Sequence, residues 1–105
     1  MDNKKIYIIS YWFHDYEKLY KSYFKTYNII KSFGEYRHPL EETWLVYTDK
    51  KPKEMLDEIL KVENMKQQQF FITEINLVNI SAWMDLSTWD WLNKIKENQN
   101  NKNKE

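Results

Sequence analysis

Fifteen consecutive residues, Gly34 to Thr48, constrain this chain more than any other stretch: Gly-Glu-Tyr-Arg-His-Pro-Leu-Glu-Glu-Thr-Trp-Leu-Val-Tyr-Thr. They read as a helix stop, a short strand carrying a proline, a tight acidic turn and a strongly apolar strand, and a β-hairpin satisfies all four signals at once. Its arms are Glu35 to Leu40 and Thr43 to Thr48, with Glu41-Glu42 at the turn. Pro39 has no N–H to give to a ladder, so the first arm belongs at a sheet edge or at a bulge. Trp44 to Tyr47 are apolar in both alternating sets, as in a strand covered on both faces.

The flanks extend the pattern. From Lys5 to Phe13 the residues are β-branched or aromatic almost without a break, which predicts a second central strand. His14-Asp15 ends it, and Asp15 is placed to cap the next helix with its carboxylate, with Glu17 in the first turn. From Tyr16 to Phe33 the positions Tyr16, Leu19, Tyr20, Tyr23, Phe24, Tyr27 and Ile30 follow the three-and-four spacing of an amphipathic helix and form its expected buried stripe. Gly34 stands where a left-handed C-terminal cap is expected. After the hairpin, Pro52 opens a second helix with Met55, Leu56, Ile59 and Leu60 on its inner face. Asn64 to Gln68 is a polar connection, and a last strand is expected over about Gln69 to Ile75.

Two strand-helix-strand units sharing one antiparallel sheet predict an α+β, ferredoxin-like βαββαβ fold with strand order 4-1-3-2 and two helices on one face. This order puts the proline-bearing strand at an edge and the two most apolar strands in the centre. Beyond Asn76 a Trp-rich segment leads to a short helix, with Ser87 as its expected cap and Trp89, Trp91, Leu92 and Ile95 along it. Residues 1–96 are therefore read as one domain with a C-terminal extension, and residues 97–105, all Asn, Lys, Gln and Glu, as a disordered polar tail.

Composition narrows the function classes. The 105 residues carry 16 basic and 16 acidic side chains, so no global field favours nucleic acid or an anionic membrane, and such binding needs a local patch. Without cysteine there are no disulfides, thiolate metal sites or cysteine nucleophile. A single glycine leaves no phosphate-cradling loop. The first apolar run, Ile6 to Ile9, is too short for a signal peptide or a membrane span, and a cytoplasmic location is the expectation. Aromatic residues make up 17% of the chain, more than a small core usually hides, which points to an interface.

Few residues are candidates for chemistry. His14 and His38 are the only histidines, and with Asp15 they are the catalytic candidates, although surface or capping roles explain each of them. Lys18, Lys21 and Lys25 form a basic stripe on the first helix, read either as a solvated face or as a phosphate-binding track. Trp83, Trp89 and Trp91 could stack on bases, but Asp85 and Asp90 lie between them, so core or dimer packing is preferred. No His or Cys pattern has metal-ligand spacing.

Ile9-Ser10-Tyr11, Asp15-Tyr16-x-x-Leu19-Tyr20 and Gly34-x-x-x-His38-Pro39-Leu40-x-x-Thr43-Trp44-Leu45-Val46 resemble the small bacterial proteins called SinR-like. These are similar to the ferredoxin-fold CRISPR-associated adaptation subunit and, more distantly, to VapD-type ribonucleases. The resemblance runs from about Ile6 to Ile75. It implies a homodimer in a bacterial or phage defence or mobile-element setting, with a protein or nucleic-acid partner. In nuclease relatives an aspartate at the end of the first strand holds a divalent metal near the dimer axis. Here Trp12 occupies that place after Ser10 and Tyr11, and an indole offers no oxygen to a hard cation. The expectation is thus a non-catalytic, cofactor-free binding protein. A nuclease using Mg2+ or Mn2+ through Asp15 and His14 is one alternative, and a nucleic-acid-binding module is another.

Overall fold

The structure is a computed structural model that describes residues 3–103. The chain forms two compact units, Met1–Ile75 and Asn76–Glu105. The division falls where regular pairing ends, after the last strand.

The first unit runs β1 (Lys5–Trp12), α1 (Tyr16–Lys31), β2 (Glu35–Leu40), β3 (Thr43–Thr48), α2 (Pro52–Leu60), a single 3-10 turn (Met65–Gln67) and β4 (Gln69–Glu74). Its four strands form one antiparallel sheet in the order β2-β3-β1-β4, which is 4-1-3-2 read from the other edge. The unit is α+β and compatible with a ferredoxin-like arrangement. The hairpin has its predicted arms, and the β2 register shifts between Arg37 and Leu40, around Pro39. A proline cannot donate to the ladder, and the shift accommodates it at an edge.

β1 and β3 meet in the middle with Ile9 opposite Trp44 and Tyr7 opposite Val46. These four, with Tyr11, are buried against Tyr23, Ile30 and Phe33 of α1 and its exit, and against Met55 and Ile59 of α2. Both helices therefore lie on one face. Polar side chains at this layer are tied internally. The Trp44 indole N–H donates to the Tyr11 hydroxyl at 2.9 Å, that hydroxyl donates to the Glu41 carbonyl at 3.2 Å, and the buried Thr48 hydroxyl donates to the Phe33 carbonyl at 2.7 Å. The connection read as merely polar contains Met65, which is fully buried in the 3-10 turn.

Three local expectations are corrected. Asp15 does precede α1, but with φ 53° and ψ 47° its carboxylate makes no capping bond, and it is its backbone carbonyl that accepts from the Lys18 and Leu19 N–H groups. Gly34 is not a left-handed cap. The last carbonyls of α1 are met by the N–H groups of Ser32 and Phe33 and by the Ser32 hydroxyl, while Gly34, at φ 159°, lets its backbone pass close to Tyr47. The buried face of α1 is rotated from the predicted stripe. Ser22, Tyr23, Thr26 and Ile30 are buried, while Tyr20 and Phe24 are exposed. The Thr26 hydroxyl is satisfied within the helix by the Ser22 carbonyl at 3.0 Å, and the Ser22 hydroxyl accepts from the Asn64 side-chain amide at 3.5 Å.

The second unit holds α3 (Leu86–Asn103). Its cap is Asp85 rather than Ser87. The Asp85 carboxylate accepts from the Thr88 N–H at 2.9 Å and from the Thr88 hydroxyl at 2.8 Å. The helix is longer than the short one expected and continues to residue 103 through the segment expected to be disordered, because a nucleated helix extends at one hydrogen bond per residue fixed. Lys104 and Glu105 lie outside the described residues.

Candidate functional site

The end of β1 brings together His14, Asp15 and Trp12. The Trp12 indole N–H donates to His14 Nδ1 at 3.1 Å; an indole can only donate, so Nδ1 accepts and the ring proton of a neutral imidazole sits on Nε2. The His14 N–H donates to the Gln68 side-chain oxygen at 2.7 Å, and the His14 carbonyl accepts from the Tyr23 hydroxyl. These bonds hold the turn between β1 and α1 in place.

His38 lies on β2, and β3 separates that strand from β1, so His14 and His38 are on non-adjacent strands. The His38 ring stacks on Trp44 with centroids 3.8 Å apart and an interplanar angle of 11°. Its Nε2 is 2.8 Å from the Glu41 carbonyl, which can only accept, so Nε2 donates. His38 thus clamps the hairpin turn onto the aromatic layer. Among the described residues no group of three or more His, Cys, Asp or Glu side chains is arranged to hold a metal ion.

The third set of candidates does gather on one surface. Lys18, Lys21 and Lys25 are all exposed on α1. Tyr20 and Phe24, at 46% and 56% of full exposure, stand one turn apart among them, and the Phe24 ring meets the half-buried Tyr27 edge-on with centroids 6.0 Å apart. Residues four apart share a helix face, so the two rings form one short ledge with Lys21 and Lys25 along one side of it. Every charged side chain of α1 other than Glu17 is a lysine. The groove between α1 and α2, about 470 Å3, differs in character. It is lined by Lys25, Asn28, Ile29, Glu58, Lys61 and Glu63, and Lys61 is paired with Glu58 at 3.0 Å. Opposite charges cancel there, which leaves the outer face of α1 as the basic surface.

In the second unit the three tryptophans divide: Trp83 is fully exposed, Trp89 half-buried and Trp91 buried. They do not form a common stacking row. Among the described residues no helix is long and apolar enough to cross a membrane.

The lysines are legible in the sequence, whereas the three-and-four spacing places Tyr20 and Phe24 on the expected buried stripe of α1. The available signal was the step Ser22, Thr26, Ile30, Phe33, which marks the buried face and puts Tyr20 and Phe24 beyond its rim. No protein-family model, curated protein or solved structure matches the chain.

Proposed function

We propose that this chain is a ferredoxin-like binding protein that acts without catalysis, as a homodimer, and holds single-stranded nucleic acid on the outer face of α1. The observation that carries the reading is the exposure of Tyr20 and Phe24 beside the basic stripe of Lys21, Lys25 and Lys18 on one side of α1. Flat rings stack on unpaired bases without regard to sequence, and neighbouring ammonium groups meet the phosphates. The resemblance of Ser10-Tyr11 and of the hairpin to SinR-like proteins supports the homodimer and a bacterial or phage defence or mobile-element setting.

The test is anisotropy with labelled single-stranded and duplex DNA and RNA over a salt series. Three phosphate contacts give a log-log salt slope of about −2 on a single strand. Lys21→Glu with Lys25→Glu should flatten that slope. Phe24→Ala should weaken binding by roughly 5- to 150-fold, the equivalent of about 1–3 kcal/mol for one stacked base, and leave the slope unchanged. Absent or salt-independent binding, or equal affinity in all variants, refutes the nucleic-acid assignment. Cleavage that requires Mg2+ or Mn2+ and is lost in Asp15→Asn refutes the non-catalytic part.

A further inference from the structure

The sheet has two edges, and they are built differently. β2 is a poor template for another strand, since it carries Pro39 and its ladder slips between Arg37 and Leu40. β4 has none of these protections. Its residues Gln69 to Glu74 include no proline, glycine or lysine, and all six pair with β1 in an unbroken register. Among the described residues, β1 is the only strand that β4 pairs with.

The hydrogen-bond phase of that edge follows from one contact. The Ile75 N–H reaches the Ile6 carbonyl at 3.0 Å, so Ile75 turns its N–H toward β1. Direction alternates along an antiparallel ladder, so Thr73 and Phe71 also bond inward, and Phe70, Ile72 and Glu74 direct their N–H and C=O groups away from β1. Phe71 is 65% exposed, while Phe70 and Ile72 pack against the core and fix the strand's position. Glu74 is the strand's single charge, and Lys5 pairs with it at 3.3 Å, so no net charge stands on the edge to repel a copy of itself.

We infer that β4 pairs antiparallel with β4 of a second copy of this chain, with the two-fold axis at Phe71. In this register Phe70 faces Ile72 and Ile72 faces Phe70, which are the residues whose backbone groups point outward, and each pair exchanges both of its N–H···O bonds. Phe71 then faces its own copy as a non-hydrogen-bonded pair, the arrangement that brings opposed side chains closest, and aromatic pairs there are stabilising. Gln69 faces Thr73. A shift that centres the axis on Ile72 would keep the hydrogen bonds but set Phe71 against Thr73 and Phe70 against Glu74. The apolar match therefore selects the Phe71 register. The isologous pairing closes on itself and joins two four-stranded sheets into one.

This inference deepens the homodimer part of the reading above and is independent of the nucleic-acid part. The chain has no cysteine, so a single introduced thiol reports the contact directly. In a non-hydrogen-bonded antiparallel pair the Cα atoms lie about 4.5 Å apart, within disulfide reach. Phe71→Cys should give a covalent dimer under mild oxidation, and Glu35→Cys, on the β2 edge, should form no covalent dimer. Phe71→Lys sets two ammonium groups face to face at an exposed position, and its mass by light scattering should fall from twice to once the 13.1 kDa of the chain, with an unchanged far-ultraviolet spectrum. A dimer that persists in Phe71→Lys, with Phe71→Cys cross-linking no better than Glu35→Cys, overturns the β4 surface and leaves the homodimer standing. A wild-type chain that is monomeric at every concentration and does not cross-link as Phe71→Cys overturns both, and leaves the edge to an extended segment of another protein.

Discussion

Replacing Gly34 by alanine tests why the chain's single glycine stands between α1 and β2. A Cβ built at this position falls 2.4 Å from the Tyr47 carbonyl oxygen, about 1 Å inside an ordinary contact. The oxygen belongs to β3, and Tyr47 is held on both sides, opposite Ile6 of β1 and Glu35 of β2, so it cannot move without disturbing two ladders. Overpacking of this kind costs about 1–3 kcal/mol. The smaller entropy of unfolded alanine returns roughly 0.4–1 kcal/mol. The midpoints leave a net loss of about 1.3 kcal/mol, which for a domain of this size lowers the melting temperature by roughly 5–10 °C. Thermal unfolding followed by circular dichroism measures it. Gly34→Asn separates the two explanations for the glycine. Asparagine tolerates the left-handed conformation, so a capping role predicts that Asn is milder than Ala. Close backbone approach predicts that Asn is at least as damaging. An unchanged melting temperature in Gly34→Ala, or a clear rescue by Asn, would refute the packing argument.

Thr48→Val removes the hydroxyl that satisfies the Phe33 carbonyl in a buried site, and should cost about 1–3 kcal/mol in urea unfolding. Ile59→Ala empties a fully buried position of α2, and a loss of about 2–5 kcal/mol is expected by the same measurement. Asp85→Ala removes the cap of α3; hydrogen exchange at the Thr88 amide should rise by roughly fivefold, corresponding to about 1 kcal/mol of helix stability, with Asp85→Ser largely restoring protection. Asp15→Asn should change stability by less than about 0.5 kcal/mol, because the carboxylate makes no capping bond and asparagine accepts the same left-handed backbone.

The hairpin, both central strands and the helix between them were legible because each is written locally. Alternation, a proline at an edge and a three-and-four spacing depend on residues within one or two turns of each other. The candidate lysines were legible for the same reason. Illegible were the features set by which surface meets which. Seven apolar positions on α1 span a wider arc than the sheet can cover, and sequence alone does not say which part of the arc is left over. Packing resolves this in favour of Ser22, Tyr23, Thr26 and Ile30 and leaves Tyr20 and Phe24 outside, beside Lys21 and Lys25. Asp15 and Gly34 were misread because their types suit several backbone roles, and neighbours distant in sequence choose between them.

The sequence by itself determined the elements and their order, since binary patterning and turn residues act over short range. The tertiary structure alone decided the face on which α1 is buried, the stacking of His38 on Trp44, and which β4 residues turn their N–H and C=O groups away from β1. The stack joins residues six apart across the hairpin and the other two join segments more than ten residues apart, and chain geometry leaves such distances undefined until the core closes.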